Sequence, residues 1–186
     1  MKTTYISFIF YLLQTSVFGQ INQIDSIEYL KQSKAFIDFI TKNSDSSKKF
    51  LMSDKPTQLV NKGCDTEIQN DTVNFTKYEM IQIHNQISIP SLTHWTSDLV
   101  PKAKLISSQT LKSIFSNRGK EWKYFYKHFG RSYISYSAPI FLRNYSYCLF
   151  YSAQYCGGTC GGGIMQLYKK EGTLWIKIRS YCFTIS

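Results

Sequence analysis

The pattern of apolar and polar positions predicts a helix near the start of the chain. Across residues 26–42, apolar side chains recur every three or four positions, with Lys34 as the polar exception. Asp25 and Glu28 have the spacing of a capping box, in which two side chains satisfy the first free backbone amides of a helix. The polar run at residues 42–49 then predicts a loop.

The middle of the chain is less regular. Residues 50–75 contain Pro56, Gly63 and a polar run, which predict loops with at most short strands. In residues 78–89 the isoleucines share one parity and most of the opposite positions are polar, so the period of two predicts a half-buried strand. Residues 103–107 suit a short strand, and residues 108–116 suit one or two helical turns.

An aromatic helix is predicted over residues 118–130. Trp122, Phe125, Tyr126 and Phe129 follow helical spacing, and Gly130 is placed to end the helix. From residue 133 onward the chain becomes rich in β-branched and aromatic residues, in four segments separated by turn residues: 133–144, 145–155, 163–170 and 173–186. The expected fold class is therefore α+β, with an antiparallel meander of about four strands in the C-terminal half and one or two helices packed on the sheet.

The N-terminus has the pattern of an export signal. Lys2 precedes an apolar run from Tyr5 to Phe18, which is shorter than the about 20 residues of a membrane span. Val17 and Gly19 are small enough for a cleavage site, so residues 1–19 are predicted to be a signal peptide and residues 20–186 a single exported domain, periplasmic or secreted. A retained N-terminal anchor is the alternative, and no later stretch predicts a transmembrane segment.

Residues 155–163 carry two cysteines and five glycines. A redox dithiol usually has the spacing C-x-x-C at the start of a helix, zinc needs a second ligand pair, and a phosphate loop needs a following helix. None of these contexts is present, although an anion-binding turn stays open as an alternative. The glycines favour a hairpin turn, and the small loop predicts a disulfide between Cys156 and Cys160 in an oxidising compartment.

The remaining cysteines are Cys64, Cys148 and Cys182, so at least one of the five lacks a partner within the chain. Cys148 and Cys182 lie in strand-like segments and form a second candidate disulfide. A nucleophilic cysteine assembled in space with His84, His94 or His128 is an alternative, which would make the protein an enzyme. The sequence contains no established catalytic motif, and neither a cofactor nor a metal site is expected.

The C-terminal half resembles a group of uncharacterised exported proteins of Bacteroidetes type. The resemblance covers residues 118–176, and its motifs are a Ser-x-Pro-x-Phe strand, a Tyr-Cys-Gly-x-x-Cys-Gly turn and a Lys-x-x-Gly hairpin that leads to a tryptophan. The matching positions are Ser137, Pro139, Phe141, Cys156, Gly157, Cys160, Gly161, Lys169, Gly172 and Trp175. The resemblance implies export and no particular activity.

Charge is distributed unevenly. The formal net charge is +10, and residues 101–186 carry 13 Lys or Arg against two acids. A region this basic attracts polyanions and anionic surfaces. The candidate contacts are Lys120, Lys123, Lys127 and Arg131 on the aromatic helix, and Lys177 and Arg179 at one parity of the last strand.

The sequence therefore predicts an exported, non-enzymatic binding or structural domain. A binder of anionic envelope polysaccharide or another polyanion is the first alternative, and a Cys-His enzyme is the second.

Overall fold

The structure of the protein is a computed structural model. It describes residues 26–42, 49–59, 64–119, 121–158 and 160–185. The predicted signal peptide, Asp25 of the capping box and most of the loop at residues 42–49 lie outside these ranges.

In the part of the chain that the structure describes, seven strands form one sheet. They are β1 (Phe50–Ser53), β2 (Ala103–Ile106), β3 (Tyr133–Tyr136), β4 (Ile140–Leu142), β5 (Tyr147–Tyr155), β6 (Gly161–Glu171) and β7 (Leu174–Ile185). Their order is β2-β1-β3-β5-β6-β7, and β4 also pairs with β5. The sheet is mixed, because β1 is parallel to both β2 and β3 while all the other pairs are antiparallel.

Five helices are present in the described part of the chain. They are α1 (residues 26–40), α2 (Asp65–Asn70), α3 (Lys77–Ser88), α4 (Ser108–Phe115) and α5 (Glu121–His128). Helices α2 and α3 lie in the connection from β1 to β2, and α4 and α5 lie in the connection from β2 to β3. Parallel neighbours need such crossovers, so the helical connections explain why this part of the sheet is parallel.

The helices pack on both faces of the sheet. On one face, here called the α1 face, α1 contributes Phe36 to a core that includes Phe150 and Trp175. On the opposite face, the α3 face, Ile83 and Ile87 of α3 pack with residues of β5, β6 and β7. Helices α4 and α5 build a third cluster around Phe125 on this second face, next to β1 and β3. The result is a three-layer α+β architecture, which agrees with the expected class.

The predicted strand at residues 78–89 is wrong, because these residues form helix α3. Thr76 and Glu79 form a capping box, since the Thr76 hydroxyl accepts from the Glu79 amide and the Glu79 carboxylate accepts from the Thr76 amide. Ile83 and Ile87, four residues apart, face the core, whereas Ile81 and Ile89 are 59% and 81% exposed. The alternation of isoleucines is therefore coincidental, and the capping box together with the burial of Ile83 and Ile87 favours the helix.

The expected meander is present, but four strands is an undercount. The segment predicted as the first of the four is divided into β3 and β4 at residues 137–139, and the sheet continues through β1 and β2. The interruption is local, because the Ser137 hydroxyl takes the place of a backbone acceptor for the Tyr151 amide at 3.0 Å. Pro139 has no amide to donate, and its carbonyl accepts from the Tyr29 hydroxyl of α1 at 3.0 Å. Ser-x-Pro thus bends the strand and joins it to α1.

Candidate functional site

The Cys/Gly run forms the connection between β5 and β6. Cys156 and Cys160 lie at disulfide distance, with 5.3 Å between their Cα atoms. The Cys156 amide donates to the Cys160 carbonyl at 3.3 Å, and the Cys160 amide donates to the Gly157 carbonyl at 3.0 Å. A strand follows the run on its C-terminal side, so the run closes the β5–β6 hairpin.

Helix α5 packs directly on this turn. The Tyr126 hydroxyl donates to the Cys156 carbonyl at 2.6 Å. Gly157 has a φ of +83°, and a Cβ atom there would lie 2.9 Å from the Trp122 ring and even closer to the Tyr126 hydroxyl. Gly157 is therefore required both by its backbone conformation and by the approach of α5.

The second candidate disulfide is corrected by the structure. Cys182 pairs with Cys64, with Cα atoms 5.1 Å apart, and Cys148 has no cysteine partner. The Cys182 amide also donates to the Glu67 carboxylate at 3.0 Å, so α2 is fixed to the end of β7. Cys148 cannot form the disulfide with Cys182, because it lies on β5, opposite Tyr168 of β6, and points into the core of the α1 face.

The structure does not assemble the Cys-His site that was considered as an alternative. Cys148 is fully buried, and burial raises the pKa of its thiol well above the ordinary value. His84, His94 and His128 are all exposed on the surface. Four of the five cysteines are paired, so no cysteine has the accessible, low-pKa thiol that nucleophilic catalysis needs.

Lys177 and Arg179, which were expected to share a face, project to opposite faces of the sheet. Lys177 is opposite Tyr168, and Arg179 is opposite Leu167, so β7 contains one extra residue between them. Tyr168 contacts Phe36 of α1, whereas Leu167 belongs to the core of the α3 face. Because directly paired residues project to the same side, this bulge separates the two cations.

Arg179 has a structural partner. Its guanidinium lies 3.1 Å from the Asp71 carboxylate, which also accepts from the Tyr181 hydroxyl at 2.7 Å. Three strand spacings, about 14 Å, separate β7 from β3, next to which α5 packs. The basic residues predicted on the last strand and those on the aromatic helix therefore do not form one surface.

A different set of basic residues does converge. Lys123, Lys127 and Arg131 are exposed, whereas Lys120 lies outside the described residues. Of these, Arg131 lines a cavity of about 370 Å³ together with Lys49 and Lys104. We call this cavity the basic pocket.

The basic pocket lies at the N-terminal ends of β1 and β3. Its other lining residues are Phe50, Leu51, Phe129, Gly130, Ser132, Ile134 and Gln154. Lys104 is brought to the pocket by the parallel pairing of β1 with β2, in which it is opposite Leu51. Arg131 lies in the turn between α5 and β3, and this turn places it at the pocket.

Among the described residues, no acidic side chain balances the charge of the basic pocket. No described Asp or Glu belongs to the lining, and none forms an ion pair with Lys49, Lys104 or Arg131. The aromatic rings of Phe50 and Phe129 supply apolar wall, and Ser132 and Gln154 supply hydrogen-bonding groups. Such a site suits a ligand that carries negative charge.

Sequence reasoning identified only one of the three basic residues of this pocket. Arg131 was among the candidate contacts, but Lys49 and Lys104 were not, because 82 and 27 positions separate them from Arg131. Lys49 also lies in the half of the chain without basic excess. Only strand pairing brings Lys49, Lys104 and Arg131 together, and no local pattern in the sequence reveals this convergence.

Comparison with protein-family models, curated proteins and solved structures found no match to this chain. The resemblance to exported Bacteroidetes-type proteins therefore stays a prediction. None of the described helices is long and apolar enough to cross a bilayer. Across the described ranges, no three His, Cys, Asp or Glu side chains come together in a way that could hold a metal ion.

Proposed function

We propose that this protein is an exported, non-enzymatic binding domain whose ligand is anionic and is held at the basic pocket. The observation that carries the proposal is the convergence of Lys49, Lys104 and Arg131 on one cavity without an acidic partner among the described residues. The chemical groups that fit are carboxylate, sulfate or phosphate groups, as in an anionic envelope polysaccharide.

Electrostatics support this choice of ligand. The net charge of +10 attracts anions to the molecule as a whole and raises their association rate, and the pocket supplies the local contacts. Arg131 offers a planar guanidinium that can bind an oxyanion with two parallel hydrogen bonds, and the two lysines add point charges. The aromatic walls give a sugar ring or a lipid chain apolar surface.

Export is supported by the cysteines. Two disulfides persist in an oxidising compartment and are rare in the cytosol. With the predicted signal peptide at residues 1–19, the proposal places the protein in the periplasm or outside the cell.

The proposal is tested on an immobilised polyanion. Purified mature protein is applied to a heparin column, and the salt concentration at elution is compared with that of the Lys104→Glu, Arg131→Glu variant. We expect the variant to elute at clearly lower salt, because each lost phosphate- or sulfate-type contact reduces the slope of log affinity against log salt by about one.

The matched control is Lys77→Glu with Lys177→Glu, which changes the net charge by the same amount. Both control residues are exposed, and neither lines the basic pocket. Equal loss of retention in the two variants would show that only net charge matters and would contradict a specific site. Unchanged retention in the pocket variant would contradict the proposal altogether.

A further inference from the structure

The turn between β4 and β5 has an unusual backbone. Arg143, Asn144 and Tyr145 have φ angles of +52°, +52° and +61°, so three successive residues other than glycine adopt the left-handed conformation. This conformation costs L-residues about 1–2 kcal/mol each. Residues held in such conformations are concentrated at functional sites, where surrounding contacts maintain them.

Several contacts maintain the turn. The Arg143 guanidinium donates to the Glu79 carboxylate at 2.6 and 3.0 Å and to the Asn74 carbonyl at 2.8 Å. The Ser146 hydroxyl donates to the Arg143 carbonyl at 2.6 Å. The ring of Tyr145 packs on Phe141, with 5.2 Å between centroids. The turn is thus fixed from both sides.

The turn forms one wall of a second cavity, of about 610 Å³, here called the turn cavity. Its volume is in the range of about 300–1,000 Å³ that is typical of small-molecule sites. Helix α1 contributes Tyr29 and Leu30, and β4 contributes Phe141, so the floor is aromatic and aliphatic. Helix α3 contributes Gln82 and Gln86, and the turn contributes Asn144 and Tyr145.

The described lining of the turn cavity offers no unpaired charge to a ligand. Apart from the tyrosines, Arg143 is the one ionisable residue among the described lining residues, and its guanidinium is already bound to Glu79 and lies 4.2 Å from the centroid of the Tyr147 ring. No carboxylate belongs to this described lining. A charged ligand that enters this cavity would lose its hydration and find no opposite charge in return. The chemistry of the lining therefore favours a neutral ligand.

Three amide side chains point to the kind of neutral ligand. Gln82 and Gln86 are four residues apart on α3 and therefore project to the same side, and Asn144 approaches from the turn. In the described part of the chain, no residue forms a hydrogen bond with any of these three amides. Each amide offers two donor hydrogens and an acceptor oxygen, which matches the adjacent hydroxyl groups of a sugar, and an apolar floor matches the C–H face of its ring.

We propose that the turn cavity is a binding site for a neutral carbohydrate, with Gln82, Gln86 and Asn144 as the hydrogen-bonding residues. It is separate from the basic pocket, because the two sites lie at opposite ends of β5. From Tyr147 at the end next to the turn to Gln154 in the basic pocket is about 23 Å along the strand. The protein would then bind sugar and anion at two positions, as a charged glycan presents them.

The experiment uses the mature protein and three neutral probes: maltohexaose, cellohexaose and chitohexaose. Binding is measured by saturation-transfer NMR and titration calorimetry. At least one probe should bind, and the Gln82→Ala, Gln86→Ala, Asn144→Gly variant should bind it at least tenfold more weakly. Alanine suits the helix and glycine suits the left-handed position, so the variant should fold with unchanged thermal stability.

Two controls separate this proposal from others. Gln109→Ala removes an exposed amide of α4 that does not line the turn cavity, and it should leave sugar binding unchanged. Lys104→Glu with Arg131→Glu should also leave it unchanged, so failure of the anion proposal is distinguishable from failure of this one. Absence of binding by all three sugars at millimolar concentration, or equal binding by the triple variant, would overturn the proposal. Binding of a neutral Gly-Ser peptide in preference to the sugars would also overturn it.

Discussion

At the scale of single residues, a few buried polar side chains join segments that are far apart in the sequence. Asp71 connects the segment after α2 to Tyr181 and Arg179 of β7, and Glu79 connects the start of α3 to Arg143 in the β4–β5 turn. Both carboxylates are buried and each has several hydrogen-bond donors. Loss of one partner would leave a buried charge unsatisfied, so these residues are sensitive positions.

Glu79 gives a pH-dependent prediction. The hydrogen bonds from Arg143, opposed by burial and aided by hydrogen bonds from Thr76, lower the pKa of the Glu79 carboxyl from 4.5 to about 2. A carboxylate with a lowered pKa stabilises the fold above the unfolded value, and this contribution is lost as the pH falls from about 4.5 to about 2. We expect Glu79→Gln to reduce the free energy of unfolding at pH 7 by about 2–3 kcal/mol, since Arg143 is partly exposed and screened.

The measurement is urea unfolding between pH 7 and pH 2. The difference between wild type and Glu79→Gln should shrink as the pH falls through this window. Glu171→Gln is the matched control, because Glu171 forms an exposed pair with Lys169 and should contribute little. A difference that stays constant with pH would show that the Glu79–Arg143 pair does not stabilise the fold.

At the scale of elements, the contact of α5 with the β5–β6 turn distinguishes two neighbouring glycines of the Cys/Gly run at residues 155–163. Gly157 and Gly158 both have positive φ, at +83° and +55°. A Cβ at position 157 would collide with Trp122 and Tyr126 of α5, whereas a Cβ at position 158 would meet nothing within 4 Å. Both positions therefore require a positive φ, but only position 157 also lacks room for a side chain.

Alanine substitutions at Gly157 and Gly158 should therefore destabilise the fold by different amounts. Gly158→Ala should reduce the free energy of unfolding by about 1 kcal/mol through backbone strain alone. Gly157→Ala should cost about 2 kcal/mol more, because α5 must also shift. Thermal and urea unfolding would compare the two variants, and equal effects would contradict the packing of α5 on the turn.

At the scale of the whole molecule, the two disulfides constrain very different lengths of chain. Cys64 and Cys182 are 118 positions apart and join α2 to the last strand, whereas Cys156 and Cys160 are four positions apart. In the chain-entropy model a longer closed loop removes more freedom from the unfolded state. The long-range disulfide therefore holds the fold together, and the short one shapes a turn.

Removal of the two disulfides should therefore reduce the free energy of unfolding by different amounts. Cys156→Ser with Cys160→Ser should reduce the free energy of unfolding by about 2 kcal/mol, and Cys64→Ser with Cys182→Ser should reduce it by about 5 kcal/mol. Urea unfolding of both variants, with peptide mapping of the disulfides in wild type, provides the measurement. A Cys148–Cys182 peptide, or a larger loss from the short loop, would contradict this connectivity.

Local pattern in the sequence was sufficient for several elements. The helix at residues 26–40, the aromatic helix, the short strand β2 and the strands of the C-terminal half were all predicted, because their caps, spacing and turn residues lie within a few positions of each other. The α+β class follows from these elements. The hairpin turn with Cys156 and Cys160 is local for the same reason, since its cysteines need only one flexible loop to meet.

Only the tertiary structure decided how distant segments combine. Strand pairing made the sheet mixed, placed Lys49 and Lys104 beside Arg131, and separated Lys177 from Arg179 by a bulge. Residues 78–89 became a helix because the capping box and the burial of Ile83 and Ile87 outweighed an alternation of period two. These outcomes depend on contacts across tens of residues, whose free energy is gained only when the sheet and its helices are packed together.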